Sequence, residues 1–251
     1  MANIKVALNA DMGESFGLYK MGNDEALMEY VTTTNLACGF HAADPMVMQE
    51  SVRLAKKHNV SVGAHPGFKD LQGFGRRMLR LSPEELYADT LYQFGALDAF
   101  LKVEGMELTH VCPHGLLDPL ISNEEVYGLA FIKAMKDYKS DMKLIAESKS
   151  LVASLCEKEG IEVAHVGYPD LDYNNEGNIV ISRDKKPLDA ELISKQAVRM
   201  VKDGKLLSTE GKEFSVKVKV LTFHGDVPNI VEIMQEVHRK LKESKIEIIR
   251  F

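Results

Sequence analysis

Short apolar runs alternate with longer runs that carry apolar residues at helical spacing, along nearly the whole chain. Such alternation predicts strands that are each followed by a helix. The predicted strands cover residues 4–9, 34–38, 60–64, 108–112, 142–146, 161–166 and 218–226, with a short excursion at 177–183. The predicted helices cover residues 24–31, 45–58, 82–105, 122–138, 150–160, 189–204 and 228–244. Repeated β-then-α units with right-handed crossovers build a parallel sheet, either a closed barrel or an open doubly wound sheet. Residues 245–251 are expected to close the ring or to lie outside it.

Helix start signals place one histidine in a strand-to-helix turn. Asp44 is predicted to cap the helix that begins at Pro45, a residue type favoured at the first helical position. His41 therefore lies between a strand and that helix, directly after a Cys-Gly-Phe step. Two capping boxes are also predicted, at Ser82 with Glu85 and at Ser122 with Glu125.

The predicted strands end, one after another, in polar or charged side chains. In a parallel barrel these ends lie on one face, where the βα-loops converge, so we expect them to share one cleft. The residues concerned are Asn9, Asp11, Glu14, His41, Asp44, His65, Asp70, His114, Asp118, Tyr168, Asp170, His224 and Asp226.

Four of these histidines stand within two residues of glycine or proline, in the stretches CGFH, AHPG, CPHG and FHGD. A single histidine before a helix is often only hydrogen-bonded to a backbone carbonyl. Four such turns favour a ligand site instead, because glycine lets the backbone approach a bound molecule closely.

Composition limits the classes of function. The 251 residues carry a net charge of −6 and show no basic stripe, which argues against nucleic-acid binding. Three widely spaced cysteines without a C-x-x-C pair predict reduced thiols and a cytoplasmic location. Neither a signal peptide nor a membrane-spanning apolar run is predicted, and one domain over residues 1–251 is expected.

Other local patterns are less informative. The chain has no G-x-x-x-x-G-K-[ST] motif, so a Walker-type nucleotide site is not predicted. Arg76 and Arg77 follow a glycine-rich turn and could grip a carboxylate or phosphate, although a surface salt bridge is an equal alternative. Cys112, next to His114, could be a reactive thiol, and residues 183–186 are predicted to form a solvated loop.

Several longer stretches resemble the LamB/YcsF family, whose members are identified with one subunit of a bacterial 5-oxoprolinase. The matching stretches run in order through the chain: LNADMGESFG, NLACGFHAADPMVM, VGAHPGFKDLQGFGRRM, YQFGALDAF, PHG and HGDVP. Together they are far more specific than any single short motif.

The resemblance implies a seven-stranded β/α barrel, related to glycoside hydrolases and polysaccharide deacetylases. It also implies ATP-dependent opening of a five-membered lactam to glutamate, carried out with two partner subunits. The polar positions of the family map onto Asp11, Glu14, His41, His65, Arg76, Arg77, His114, His224 and Asp226.

This chain departs from the family pattern near two strand ends. Cys112 stands where the family usually has lysine, and Asp118 stands where it has tyrosine. Val166 replaces a glutamate and Leu171 an arginine, while Asp170 keeps its acid. Two cations that would bind an anion or a developing oxyanion are therefore missing from the predicted cleft.

The leading hypothesis is a hydrolase that acts on 5-oxoproline or a related cyclic amide. Ring opening needs an activated water, stabilisation of an oxyanion and a proton for the leaving nitrogen. Asp11 or His65 is predicted to act as general base, and His41 or His114 as electrophile or acid. Residues predicted to bind substrate or phosphate are Asn9, Glu14, Arg76, Arg77, Asp170, His224 and Asp226.

Two alternatives remain open at this point. A metal-dependent deacetylase or amidohydrolase would use Asp11, His41 and His65 as ligands of a divalent ion. A divergent, non-catalytic subunit would explain the missing cations. The expected cofactor is ATP, with a divalent metal under the first alternative. The expected partners are a small lactam and two oxoprolinase-type subunits, with further copies of this chain as an open possibility.

Overall fold

Parallel strands close into a seven-stranded barrel in the computed structural model, which describes residues 4–180 and 185–250. The strands are β1 (Lys5–Met12), β2 (Thr33–Ala37), β3 (Ser61–His65), β4 (Leu108–Val111), β5 (Lys143–Ala146), β6 (Val163–Gly167), β7 (Asp172–Tyr173), β8 (Ile179–Val180), β9 (Lys205–Leu207), β10 (Glu213–Ser215), β11 (Val220–His224) and β12 (Glu247–Ile248). Strands β1 to β6 lie side by side in chain order, β11 follows β6, and pairing of β11 with β1 closes the ring. The barrel expected from the sequence is confirmed.

Five further strands lie outside the ring in the described part of the chain. Strand β12 pairs with Lys5 and Val6 at the start of β1, so the C-terminal segment does not close the barrel. Two antiparallel pairs, β7 with β8 and β9 with β10, were not predicted from the sequence. Of the excursion predicted at 177–183, residues 181–183 lie outside the described part of the chain.

Helices surround the barrel. They are α1 (Asp24–Leu27), α2 (Pro45–Lys57), α3 (Pro83–Val103), α4 (Leu117–Asn123), α5 (Glu125–Tyr138), α6 (Leu151–Lys158), α7 (Ala190–Lys202) and α8 (Ile230–Glu243). The main apolar core lies between the outward side chains of the strands, such as Leu8 and Leu36, and the inward faces of these helices, such as Val52 and Leu97. No helix in residues 4–180 and 185–250 is long and apolar enough to span a membrane.

Helix caps agree with the sequence in two places and differ in a third. Asp44 accepts the backbone N–H groups of Met46 and Val47, as predicted for the start of α2. The Ser82–Glu85 capping box opens α3. The capping box predicted at Ser122 and Glu125 is wrong, because Ser122 lies inside α4 and its hydroxyl donates to Asp118 instead.

The barrel interior carries polar side chains. Asn35 on β2 and His110 on β4 are separated by β3, yet His110 Nε2 donates to Asn35 Oδ1 at 2.9 Å, so both side chains point inward. Gly63 on β3 makes room for this contact, because a Cβ there would lie 2.2 Å from His110 Nε2. Apolar interior side chains, including Ala7, Val166 and Val220, form a separate small cluster. The interior polar contacts support the site above them.

Candidate functional site

A cleft of about 470 Å³ opens where the carboxyl ends of the barrel strands converge. Its lining brings together residues from β1, β3, β4, β5, β6 and β11 or the loops that follow them. They include Asp11, Glu14, His65, Arg76, Cys112, His114, Asp118, Glu147, Tyr168, Lys185, His224 and Asp226. The position matches the end of a parallel barrel at which ligand sites are built.

Hydrogen bonds inside the barrel fix the carboxylate of Asp11. Asn35 donates from Nδ2 to Asp11 Oδ1 at 2.8 Å, and its amide also pairs reciprocally with the amide of Asn9. The other oxygen, Asp11 Oδ2, lies 3.6 Å from His65 Nε2 and 3.9 Å from His224 Nε2. Asp11 Oδ1 is therefore fixed by a hydrogen bond from the barrel interior, while Asp11 Oδ2 faces the imidazoles of His65 and His224.

Three imidazoles, two from the loops after β2 and β4 and one from the end of β3, lie in contact. The rings of His41 and His114 stack with their centroids 3.7 Å apart, and His65 packs edge-on against both. All three side chains are buried. Gly67 allows this approach, because a Cβ at that position would lie 2.5 Å from His41 Nδ1. The common cleft expected for these histidines is thus present in the structure.

Backbone carbonyls determine which ring nitrogens carry protons. His65 Nδ1 lies 2.6 Å from the carbonyl oxygen of Cys112, and His114 Nε2 lies 2.9 Å from that of Phe74. A carbonyl oxygen only accepts, so both of these nitrogens donate. Burial lowers the pKa of each ring, with further lowering of the His114 pKa by the neighbouring His65. The remaining nitrogens, His65 Nε2 and His114 Nδ1, carry no proton in the neutral rings. Their lone pairs face each other, and the two atoms lie 2.9 Å apart.

Glu14 and His41 complete this group. Glu14 Oε1 lies 3.6 Å from both His41 Nε2 and His114 Nδ1. Burial raises the pKa of Glu14 well above its usual range, and the nearby acids Asp11 and Asp226 raise it further. His41 is 1 % exposed, and neither of its ring nitrogens has a hydrogen-bond partner among the described residues. Burial also lowers the pKa of His41 well below its ordinary value.

The opposite wall carries a histidine in a different protonation state. His224 Nδ1 lies 3.1 Å from Asp170 Oδ2, which also accepts the backbone N–H of His224 at 2.8 Å. Burial alone lowers the pKa of His224, but the Asp170 carboxylate outweighs it, so the net pKa is raised. Among the imidazoles of the cleft, His224 is therefore the one whose pKa is raised and the best suited to carry a proton.

Cations line one side of the cleft mouth. Arg76 lies 3.6 Å and Lys185 lies 4.0 Å from the carboxylate of Asp226, and both cationic side chains are 14 % exposed. Arg77 instead donates from its guanidinium to Asp70, with its own side chain 55 % exposed. Arg76 therefore faces the cleft, whereas Arg77 forms the salt bridge that was the alternative interpretation of this arginine pair.

The inner wall is acidic and contains a protonated thiol. Burial raises the pKa of Asp118 to about 6 and that of Glu147 to about 7. Burial, with Asp11 and Asp118 nearby, also raises the pKa of the Cys112 thiol well above its usual range. A thiolate is the reactive form of cysteine, so the reactive thiol considered for Cys112 does not fit this environment.

A family model described as LamB/YcsF matches residues 6–251. The chain belongs to the LamB/YcsF family. A protein of Pyrococcus horikoshii, named as the A subunit of 5-oxoprolinase, is 45% identical over 98% of this chain and 97% of its own length. A protein of the same name from Thermus thermophilus is 41% identical over 99% of this chain and 100% of its own length.

Solved structures agree with this assignment. The crystal structure of a lactam utilization protein from Thermus thermophilus superposes with a TM-score of 0.91 and 40% identity, covering 98% of this chain and all of that one. A family 4 carbohydrate esterase from Streptomyces lividans gives a TM-score of 0.53 at 12% identity, with 99% and 93% coverage. The second likeness concerns the fold alone.

In this LamB/YcsF protein, the predicted site residues divide by position. Asp11, Glu14, His65, Arg76, His114, His224 and Asp226 line the cleft, and His41 and Asp170 lie directly behind it. Asn9 is fully buried below the cleft, where it pairs with Asn35. Four ligand atoms, one each from Glu14, His41, His65 and His114, lie within 4.8 Å of one another and could hold a metal ion. Asp11, expected in a ligand set with His41 and His65, lies outside that group.

Sequence reasoning missed several residues of the LamB/YcsF site. Asn35 and His110 occupy strands in which every position is buried or nearly so, and no pattern marks them as inward-facing. Glu147 follows β5 directly and could have been found by the rule applied to the other strand ends. Lys185, assigned to a solvated loop, in fact lies in the cleft lining.

Proposed function

We propose that this chain belongs to an ATP-dependent enzyme that opens 5-oxoproline, or a closely related lactam, to the amino acid. The names of its relatives, which refer to 5-oxoprolinase and to lactam utilization, support this proposal. The observation that carries it is the Asp11 carboxylate, placed between the lone pair of His65 and the cationic His224 in one cleft. Such a pairing of base and acid is what amide hydrolysis needs.

Asp11 serves as the general base and His224 as the general acid. Transfer of the γ-phosphoryl group of ATP to the lactam oxygen releases ADP and activates the ring carbon. Water adds to that carbon and gives its proton to Asp11. The C–N bond then breaks as His224 protonates the leaving nitrogen, and a second water releases phosphate and the new carboxylate.

Arg76 and Lys185 bind the anionic part of the substrate or its phosphoryl group. Both cations face the cleft beside Asp226, which holds them in place without covering them. Charge-assisted hydrogen bonds from a guanidinium suit a carboxylate or phosphate geometrically. These two residues take over the part that the missing family cations would play near Cys112 and Leu171.

Partner subunits supply the phosphoryl donor. The chain carries no Walker-type motif, so the nucleotide is expected to be bound by the partners or at the shared boundary. The relatives are named as one subunit of an enzyme, which supports an assembly with other subunits. We propose two of these partners.

Metal-dependent amide hydrolysis without ATP is a second candidate. It is favoured by the cluster of Glu14 with three imidazoles. Under that reaction Asp11 would still accept the proton of the attacking water, since it is a carboxylate of the cleft next to the cluster.

The test uses this chain co-purified with its two partner subunits. We expect ATP hydrolysis that depends on 5-oxoproline and yields one glutamate per phosphate released. Asp11→Asn should lower the rate by about 10²–10⁴-fold, the usual contribution of a general base. Asp137→Asn, which removes an exposed carboxylate on α5, is the matched control and should leave the rate unchanged.

Two results would redirect the proposal. ATP turnover that no lactam alters would reject it. Ring opening by this chain with a divalent ion but without ATP or partners would favour the second candidate instead.

A further inference from the structure

We propose that Glu14, His41, His65 and His114 bind one divalent transition-metal ion, with Zn²⁺ as the best fit. This site depends only on the position, burial and chemistry of these four side chains, and not on the substrate, ATP or partners proposed above. Each residue contributes one ligand atom, from the loops after β1, β2 and β4 and from the end of β3.

Proton accounting gives the first reason. His65 and His114 each donate a hydrogen bond from one ring N–H to a backbone carbonyl. The other ring nitrogen of each, on the inner side of the cluster, therefore carries a lone pair. These lone pairs lie 2.9 Å apart and have no proton between them in the neutral rings. Two lone pairs at this distance repel each other unless a positive charge lies beside both. A metal ion satisfies both nitrogens together.

Burial gives the second reason. His41 is almost fully buried with both ring nitrogens unpartnered among the described residues. A buried polar group without a partner destabilises the fold. Its Nε2 points toward Glu14 Oε1 at 3.6 Å, beyond hydrogen-bond distance, and coordination of an ion between these atoms removes that cost for Nε2.

Distances give the third reason. A tetrahedral ion with bonds of about 2.0–2.1 Å holds its ligand atoms about 3.3 Å apart. Three of the six separations are 2.9 Å between His65 Nε2 and His114 Nδ1, and 3.6 Å from Glu14 Oε1 to His41 Nε2 and to His114 Nδ1. The remaining pairs lie within 4.8 Å, so side-chain shifts of up to about 1.5 Å bring all four atoms to the tetrahedral distance.

The surroundings of the ligands fit the same assignment. Metal-binding histidines commonly donate their second ring N–H to a carbonyl or carboxylate, which fixes the ring. The carbonyls of Cys112 and Phe74 do this for His65 and His114. Three imidazoles with one carboxylate favour Zn²⁺ or a similar transition metal over Mg²⁺ and Ca²⁺, which prefer oxygen ligands.

The experiment measures metal content of the isolated full chain, without ATP, lactam or partner. Protein is incubated with Zn²⁺, desalted and analysed by elemental mass spectrometry, and Co²⁺ loading is followed by visible absorption. We expect about one ion per chain, and a Tm increase of roughly 5–10 °C at an ion concentration about 100 times Kd. Substitutions Glu14→Gln and His114→Gln should each weaken binding by at least about 100-fold.

Two control variants sharpen the result. Asp11→Asn should keep the ion, because Asp11 lies outside the four-residue group. His58→Gln should also keep it, since the 13-residue helix α2 separates His58 from His41 by about 20 Å. Circular dichroism of the metal-free variants identifies any that fail to fold.

Specific outcomes overturn the proposal. Wild-type protein that retains far less than one ion per chain at saturating Zn²⁺ rejects it. Equal retention by the wild type and by folded Glu14→Gln and His114→Gln shows binding elsewhere and also rejects it. Loss of the ion in Asp11→Asn with retention in Glu14→Gln overturns this ligand set. None of these results depends on hydrolysis, so failure here is separable from failure of the proposed reaction.

Discussion

Replacing Asp170 with asparagine tests the paired charges on the wall opposite Glu14, His41 and His114. The Asp170 side chain is fully buried and accepts two hydrogen bonds from His224, one from the backbone N–H at 2.8 Å and one from ring Nδ1 at 3.1 Å. Asparagine offers a single acceptor oxygen and no charge. Both bonds go to the same oxygen, Oδ2, so an amide oxygen in that position can still accept them. The variant loses the negative charge and the 3.2 Å contact between Oδ1 and ring Nδ1, and it leaves the His224 imidazolium without its counter-ion.

The magnitude follows from the loss of charge on the acceptor, which weakens each of the two bonds by about 1–1.5 kcal/mol. A hydrogen bond to a charged group contributes about 1.5–3 kcal/mol to stability, and burial keeps this contact from being screened by water. We expect Asp170→Asn to lower the free energy of unfolding at pH 6 by about 2–3 kcal/mol. For a chain of this size, that loss lowers Tm by roughly 5–10 °C.

The pH dependence has a definite sign. The net pKa of His224 is raised in the folded state by Asp170, although burial opposes it. The stabilisation is therefore fully present below the unfolded value of about 6.5 and is lost as pH rises through the folded pKa. Burial raises the pKa of Asp170, but His224 outweighs it, so the net pKa is lowered and its contribution disappears only as pH falls below about 4. The effect of Asp170→Asn is largest between about pH 4 and 6.5.

The assay is urea unfolding of wild type and variant at pH 6 and pH 9, together with NMR titration of the His224 ring. The matched control is Asp137→Asn, whose carboxylate is 44% exposed and pairs with Lys133 on the same helix. Exposed pairs contribute at most about 1 kcal/mol, and this one keeps its charges over the whole range. A destabilisation by Asp170→Asn that is equal at both pH values, or no larger than that of Asp137→Asn, would refute the assigned charge pair.

Three further predictions use other parts of the site. Gly67→Ala should destabilise the fold by about 1–3 kcal/mol, because its Cβ would press against His41, whereas Gly95→Ala in helix α3 meets open space and should stabilise by up to about 1 kcal/mol in urea unfolding. Arg76→Ala should raise KM for an anionic lactam at least tenfold in steady-state assays of the assembled enzyme, from the loss of a charge-assisted contact, while Arg77→Ala changes KM less than twofold; equal effects would contradict their different positions. Because burial raises the pKa of every cysteine thiol, iodoacetamide at pH 8 should label the urea-unfolded chain but not the native one, and rapid native labelling would contradict this.

The sequence pattern was sufficient to predict a parallel β/α fold and the face that carries the cleft, while the closed barrel was implied by the family resemblance. Polar residues after successive apolar runs marked the ends of strands, and the carboxyl ends of parallel strands always lie on one side. His41, His65 and His114 were therefore expected together, and their rings are in contact. This inference needs only strand order and direction, which local patterns contain.

The partners of each side chain could not be predicted in the same way. Strands β1, β2 and β3 are buried on both faces, so alternation of apolar and polar residues does not reveal which side chains point inward. The contact between Asn35 and His110 depends on the register of strands far apart in sequence. The different roles of Arg76 and Arg77 could not be predicted either. They are adjacent residues of one type, and they differ only in the direction of their side chains.

A polar layer inside the barrel explains how the site keeps its geometry. An apolar interior, such as the cluster around Val166 and Val220, would cost less to bury than the amides of Asn9 and Asn35. These amides are nevertheless paired with each other and with Asp11, so their burial is offset by hydrogen bonds. The arrangement fixes one oxygen of Asp11 and leaves the other toward His65 and His224. The layer therefore contributes more to the orientation of the proposed base than to stability, because apolar side chains of similar volume would hold the barrel together equally well.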